Sequence, residues 1–95
     1  MRGNLVRSRS LFDVPKDLTY FVHHEDHLVI NPEVGARCVL TPREFRVLEA
    51  LADVRVDGAA APLEETEETE RALAKLILNW IVYFNGNKPS VKVRV

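Results

Sequence analysis

The sequence predicts a small α+β fold in which a three-stranded antiparallel sheet is followed by helices. Two observations lie within residues 27–54, where two strand-like runs lead directly into a strongly specified helix start. A third is the apolar segment LILNWIVYF at residues 76–84, which extends a second helical pattern. With 95 residues, the chain has the length of one domain.

The strands are predicted from composition and from the turns between them. Residues 18–23, LTYFVH, are rich in β-branched and aromatic side chains, and residues 28–30, LVI, form a second run after a polar turn. Another turn, marked by Asn31, Pro32 and Gly35, precedes a third strand at residues 36–40. The three strands form an antiparallel meander.

The first helix begins with several signals that agree. Thr41 is the N-cap candidate, Pro42 occupies the first helical position, and Glu44 completes a capping box. Leu40 and Phe45 stand at the positions of a hydrophobic staple. The helix is amphipathic, with Phe45, Leu48, Leu51 and Ala52 on one side and Arg43, Arg46 and Glu49 on the other.

A long apolar C-terminal helix is predicted from Leu63 or Glu64 to about Phe84, stopped by Asn85 and Gly86. Its core face comprises Leu73, Leu76, Ile77, Trp80, Ile81 and Phe84. Beside it, Ala74, Leu78 and Val82 form a second apolar line, which belongs either to the core or to a groove for a partner. Strands, capped helix and apolar helix together predict a winged-helix-like arrangement with one open sheet edge.

Three parts of the chain are distinguished. Residues 1–12 are predicted as a flexible basic lead, residues 13–86 as the folded domain, and residues 87–95 as a strand-like tail in which valines alternate with basic residues. Within the domain, the connection at residues 53–62 is expected to hold a short helical turn at most.

Charge and cysteine content bound the function. A formal net charge of −1 gives no field that would draw the protein to nucleic acid or a membrane. Cys38 is the only cysteine, which excludes an internal disulfide and indicates a reducing, cytoplasmic compartment. The apolar segment at 76–84 is too short to span a bilayer.

No residue pattern predicts catalysis, a metal or a cofactor. His23, His24 and His27 cluster with two acids where a hairpin turn is expected, and neighbouring strand side chains point to opposite faces. Cys38 lies in an alternating strand, where a lone cysteine usually acts as a small apolar residue. Phosphate-binding loops and HExxH motifs are absent from the sequence.

The segment LVINPEVGARCVLTPREFRVLEAL resembles two families. One is the winged-helix DNA-binding domain of response regulators, which also runs from a short sheet into a helix with an LTxxEF-like start. Such domains use a basic recognition helix, whereas this chain continues into an acidic connection and an apolar helix. A DNA-binding transcription regulator is kept as an alternative function. A dimerisation or scaffold module is another alternative, and it would make the protein a homodimer.

Over roughly residues 11–54, the chain is similar to the precursor-peptide recognition element of the PqqD type, a peptide chaperone found with radical-SAM peptide maturases. The resemblance implies a non-catalytic protein that binds the leader of a ribosomally made precursor peptide as an added strand and presents it to the maturase. The strand edge implied for this sequence comprises Ala36, Arg37, Cys38, Val39 and Leu40. The helix wall implied for it comprises Lys75, Leu78, Asn79 and Val82.

Overall fold

The computed structural model describes residues 4–52 and 63–88, which form an α+β structure. Its elements are α1 (Asn4–Arg7), a 3₁₀ turn (Arg9–Leu11), β1 (Phe12–Asp13), β2 (Thr19–His23), β3 (Asp26–Asn31), β4 (Ala36–Leu40), α2 (Pro42–Ala52), α3 (Glu67–Leu78) and β5 (Tyr83–Phe84). The predicted antiparallel sheet followed by helices is confirmed. The connection at 53–62 and most of the predicted tail, residues 89–95, lie outside the described residues.

The sheet is the predicted meander, with strand order β2-β3-β4 and antiparallel pairing throughout. A two-residue turn joins β2 to β3 and places His24 at φ 59°. The turn between β3 and β4 ends at Gly35, whose φ of 74° suits a residue without a Cβ. The Gly35 N–H donates to the Asn31 carbonyl at 2.9 Å, which closes that turn.

The capping box at the start of α2 is confirmed. The Thr41 hydroxyl accepts the Glu44 N–H at 3.2 Å, and the Glu44 carboxylate accepts the Thr41 N–H at 2.9 Å. Leu40 is fully buried, and Phe45 packs against the core cluster to which Leu40 belongs. These contacts fix the angle at which the chain passes from β4 into α2.

The prediction of one long apolar helix over residues 63–84 is wrong at both ends. The helix α3 starts only at Glu67, because Thr66 is its N-cap and its hydroxyl accepts the Thr69 N–H at 3.2 Å. Its last helical residue is Leu78, so it has 12 residues. The core face predicted beyond Leu78 therefore belongs to a turn and to β5.

A Schellman motif ends α3. The Ile81 N–H donates to the Leu76 carbonyl at 2.9 Å, and the Trp80 N–H donates to the Ile77 carbonyl at 3.1 Å. Trp80 occupies the left-handed position of the motif, with φ 59°. Glycine is the usual residue there, so the tryptophan at this position is not a recognisable helix-stop signal.

Residues 4–13 include most of the predicted flexible lead, and in the structure defined contacts place them. Both carboxylate oxygens of Glu70 accept backbone N–H groups of α1, from Leu5 at 3.2 Å and from Val6 at 3.1 Å. Further along, β1 pairs antiparallel with β5, and the rings of Phe12 and Phe84 lie 5.0 Å apart. These contacts join the first residues to α3 and to the chain that follows it.

The core lies between the helices and one face of the sheet. Its buried members are Val6, Val29, Leu40, Val47, Leu48, Leu51, Ala72, Leu73, Leu76, Ile81 and Val82. Asn31 is the fully buried polar side chain beside them, and its amide donates to the Trp80 carbonyl at 2.8 Å and to the Tyr83 hydroxyl at 3.0 Å. Asn31 thus joins the end of β3 to the chain that leaves α3.

No helix within residues 4–52 and 63–88 combines the length and the apolar content needed to cross a membrane.

Candidate functional site

The edge of β4 is the candidate site. Along its five residues β4 pairs with β3 on one side, and among the described residues no strand pairs with its other side. An unpaired edge presents backbone N–H and C=O groups that can accept a further strand. The edge coincides with the predicted segment Ala36–Leu40.

The backbone groups that face outward belong to Arg37 and Val39. The Asn31 carbonyl points into the turn towards β4, where it accepts the Gly35 N–H, and Asn31 is opposite Ala36 in the register. Successive residues in a strand direct their backbone groups to alternate sides. The backbone N–H and C=O groups of Ala36, Cys38 and Leu40 therefore point towards β3. The N–H and C=O groups of Arg37 and Val39 therefore face the open edge.

The side chains of β4 alternate in the same way. Ala36 and Cys38 are half-buried and Leu40 is fully buried, so these three face the helices. Arg37 and Val39 are exposed on the opposite face of the sheet, with 54% of Val39 accessible. An added strand would meet two different surfaces, one on each side of its own backbone.

On the helix side, Lys75 of α3 lies beside β4 and the start of α2. Its ammonium is 2.9 Å from the Glu44 carboxylate, which also accepts the Thr41 N–H. The pKa of the Cys38 thiol is raised above its ordinary value, mainly by burial. The charge of Lys75 opposes this shift and the charge of Glu44 adds to it. The thiol thus stays protonated near neutral pH and acts as a small apolar group beside a charged pair.

Two other predicted wall residues lie at the end of α3. Leu78 is 77% exposed, whereas the preceding residue, Ile77, packs against the core. Asn79 is the C-cap, and its side-chain amide donates to the Lys75 carbonyl at 2.8 Å. Leu78 offers an apolar contact at the surface, whereas the Asn79 amide is engaged within its own helix end.

Val82 was predicted in the helix wall, and that prediction is wrong. The Schellman motif turns the chain inward after Asn79, so Val82 is fully buried in the core. The second apolar line is therefore divided, since Leu78 is exposed, Val82 is buried and Ala74 is intermediate.

Two features of this region were not predicted as part of the site. Glu44 was assigned only a capping role, yet it also binds Lys75. On the outer face of the sheet, Phe21, Leu28 and Val39 stand directly opposite one another across the three strands. Strand alternation contained the signal for this row, but the hairpin registers were needed to align it.

The strand β2 forms the other edge of the sheet and is also unpaired on its outer side among the described residues. Apart from this second edge, other candidate features do not form a comparable site. Among the described residues, no three histidine, cysteine or acidic side chains converge as a metal site. The His27 ring instead stacks on Phe45, with centroids 3.9 Å apart. A separate cleft of about 650 Å³ lies between α2 and the start of α3, bordered by Ala50 and Leu63. These residues lie close in sequence to the connection at 53–62, which is outside the described residues, so the cleft does not define a site.

Comparisons of this chain with protein-family models, with curated proteins and with solved structures found no match.

Proposed function

We propose that this protein binds the leader region of a ribosomally synthesised precursor peptide as an added strand along β4 and presents it to a radical-SAM modifying enzyme. The observation that carries the proposal is the open edge of β4, with two residues directing their backbone groups outward. The protein contributes binding rather than chemistry. The maturase carries out the modification and supplies its own cofactors.

The binding mechanism follows from the two surfaces of the edge. Arg37 and Val39 offer two N–H donors and two C=O acceptors, and each hydrogen bond formed adds on the order of 1 kcal/mol net. Lys75 and Leu78 lie on the helix side, where they contact alternate side chains of the peptide. Backbone pairing supplies affinity for any extended peptide, and side-chain contacts select among sequences.

Presentation increases the rate of modification through effective concentration. A leader held on β4 keeps the core peptide close to a maturase that binds the same complex, so the second encounter becomes intramolecular.

The proposal includes a cytoplasmic location, a winged-helix-like arrangement of the sheet and helices, and a PqqD-type role for the whole domain. It is supported by the match between the predicted strand 36–40 and the observed open edge.

Isothermal titration of the purified protein with leader peptides encoded near its gene tests the proposal. Saturable binding at micromolar or tighter affinity, lost when the β4 edge is disrupted, is the expected result. If a folded sample gives no heat of binding, binding is measured again by fluorescence anisotropy with the maturase present. Absence of binding in both formats would overturn leader recognition by this chain.

Self-association is the second candidate function, favoured by the exposed apolar side chains of the sheet. Phe21 and Val39 are 51% and 54% exposed, and Val39 lies on the open edge. Two copies pairing along β4 would bury both edges at once. Sedimentation equilibrium over a range of concentrations decides this point, since a monomer at all concentrations contradicts a homodimer.

A further inference from the structure

The outer face of the sheet, the side away from the core, extends to the open edge with a defined chemical pattern. One row across the sheet is Phe21, Leu28 and Val39, and the next is Thr19, Ile30 and Arg37. The first row is apolar and ends at the edge in Val39. The second row ends at the edge in a cation.

Arg37 is not engaged elsewhere in the described part of the chain. It is exposed and makes no side-chain hydrogen bond or ion pair with residues 4–52 or 63–88. By contrast, the exposed Arg43 on α2 is paired with Glu68. The guanidinium at the edge therefore has its donors available for a carboxylate on an incoming strand.

The same two residues direct both their backbone groups and their outer-face side chains to the added strand. A peptide residue paired with Val39 places its own side chain beside the apolar row, as a fourth member. The residue paired with Arg37 is two positions away in the peptide, because strand side chains repeat with period two. Its side chain lies beside the guanidinium.

We propose that the peptide recognised at β4 has a large apolar residue and an acidic residue two positions apart, read by Val39 and Arg37 on the outer face of the sheet. This inference rests on the proposed strand addition and adds a selection rule to it. An antiparallel peptide has the order apolar-x-acidic, and a parallel peptide has the reverse order. The order therefore also reports the direction of binding.

Selection from a display library of random eight-residue peptides tests the rule, with the full chain as the target. Wild-type protein is expected to enrich Asp or Glu two positions from Leu, Ile, Val or Phe. The Arg37→Glu variant is expected to enrich Lys or Arg at the same position while keeping the apolar residue. Arg46→Glu is the matched control, since Arg46 is exposed on α2 and lines the separate cleft.

Synthetic peptides from the selection then give a reciprocal measurement. Changing the acidic residue to lysine is expected to weaken binding to wild type on the order of tenfold and to restore binding to Arg37→Glu, as cross-strand charge pairs require. Val39→Thr is expected to reduce the apolar preference. The same change at Val22, on the opposite edge strand β2, is expected to leave it unchanged.

The outcomes separate this rule from the proposed function. In one outcome, the selected peptides lose binding to Val39→Pro but contain no apolar and acidic residues two positions apart. In another, Arg37→Glu selects the same apolar and acidic pair as wild type. Either outcome overturns the rule and leaves strand addition standing. Failure to select any peptide whose binding depends on the β4 edge overturns both. Circular dichroism of each variant establishes that the comparison is made between folded proteins.

Discussion

Asn31 is fully buried, and both the amide and the carbonyl of its side chain are hydrogen-bonded. Its amide donates to Trp80 and Tyr83, and its side-chain carbonyl accepts the Glu33 N–H at 3.1 Å. Burial, together with a hydrogen bond to Glu33, raises the pKa of the Tyr83 hydroxyl, which stays protonated in this network. A polar group buried at this junction specifies one arrangement of the strand and the turn after α3.

Replacement of Asn31 by alanine is expected to lower the free energy of unfolding by about 2–4 kcal/mol, because buried partners lose their hydrogen bonds. Urea unfolding followed by circular dichroism measures the change. Asn79→Ala is the control, since the Asn79 amide makes one bond to its own helix and is partly exposed. Equal effects of the two substitutions would contradict a central role for Asn31.

Glu44 connects the start of α2 to α3 in a pH-dependent way. Burial alone would raise the pKa of its carboxyl, but hydrogen bonds from Lys75 and Thr41 outweigh it and lower the pKa below its ordinary value. A lowered folded-state pKa contributes stability above the unfolded-state pKa, and that stability is lost as the pH falls through the folded-state pKa. The contribution of Glu44 is therefore present at neutral pH and absent in acid.

Glu44→Gln is expected to destabilise the protein near pH 7, with the difference from wild type closing as the pH falls through the lowered pKa of the carboxyl, where the wild-type side chain protonates. Urea unfolding at a series of pH values measures this difference. Glu68→Gln is the comparison, because the Arg43–Glu68 pair is exposed, and exposed pairs contribute little. A gap between wild type and Glu44→Gln that does not change with pH would contradict this role.

The two edge strands of the sheet, β2 and β4, provide a matched test of strand addition. Val39 on β4 and Val22 on β2 both direct their backbone N–H and C=O groups away from β3. In each strand, the residues on either side of the valine direct these groups towards β3. Proline removes the N–H donor at either position without breaking the ladder to β3.

Val39→Pro is expected to abolish peptide binding, and Val22→Pro to leave it within about twofold of wild type, because only the first removes a donor from the proposed site. Titration calorimetry with one leader peptide measures both. Loss of binding in both variants would indicate a general effect on the sheet. Unchanged binding in a folded Val39→Pro variant would exclude this edge.

The sheet and the start of α2 were predictable because their signals are local. Alternation located β4, and the Thr41 and Glu44 pair defined a capping box within four residues. The end of α3 was not predictable in the same way, because Trp80 adopts a left-handed conformation that sequence rules assign to glycine. The burial of Leu76 and Ile81 stabilises that turn, and this packing is visible only in three dimensions.

The site was predictable to the same extent. The edge at residues 36–40 and the wall residue Lys75 were implied by the PqqD-type resemblance rather than by a residue pattern, and the structure places Lys75 close enough to Cys38 to affect the pKa of its thiol. The error at Val82 follows from extending the helix past its true end. The outer row that includes Phe21 and Leu28 depends on the registers of two hairpins, which no single segment of the sequence encodes.

The acidic first turn of α3 has two roles, one within the helix and one in holding the N-terminal segment. Glu67, Glu68 and Glu70 favour the helix N-terminus through the dipole, and Glu70 also accepts two N–H groups of α1. The four N–H groups at the start of a helix have no partners within it, so a carboxylate from another element can satisfy them. A short segment that could not be stable alone is thereby held on the domain.

Glu70→Ala is therefore expected to release the N-terminal segment without unfolding the sheet. Hydrogen bonds to a charged group contribute roughly 1.5–3 kcal/mol, enough to shift a local opening equilibrium by an order of magnitude. Trypsin cleavage after Arg7 and Arg9, followed by mass spectrometry, measures this opening. Glu67→Ala is the matched control, since Glu67 lies in the same turn and is exposed. Faster cleavage in Glu70→Ala alone would establish that α3 holds α1 through this carboxylate, whereas equal rates in both variants would show that other contacts hold it.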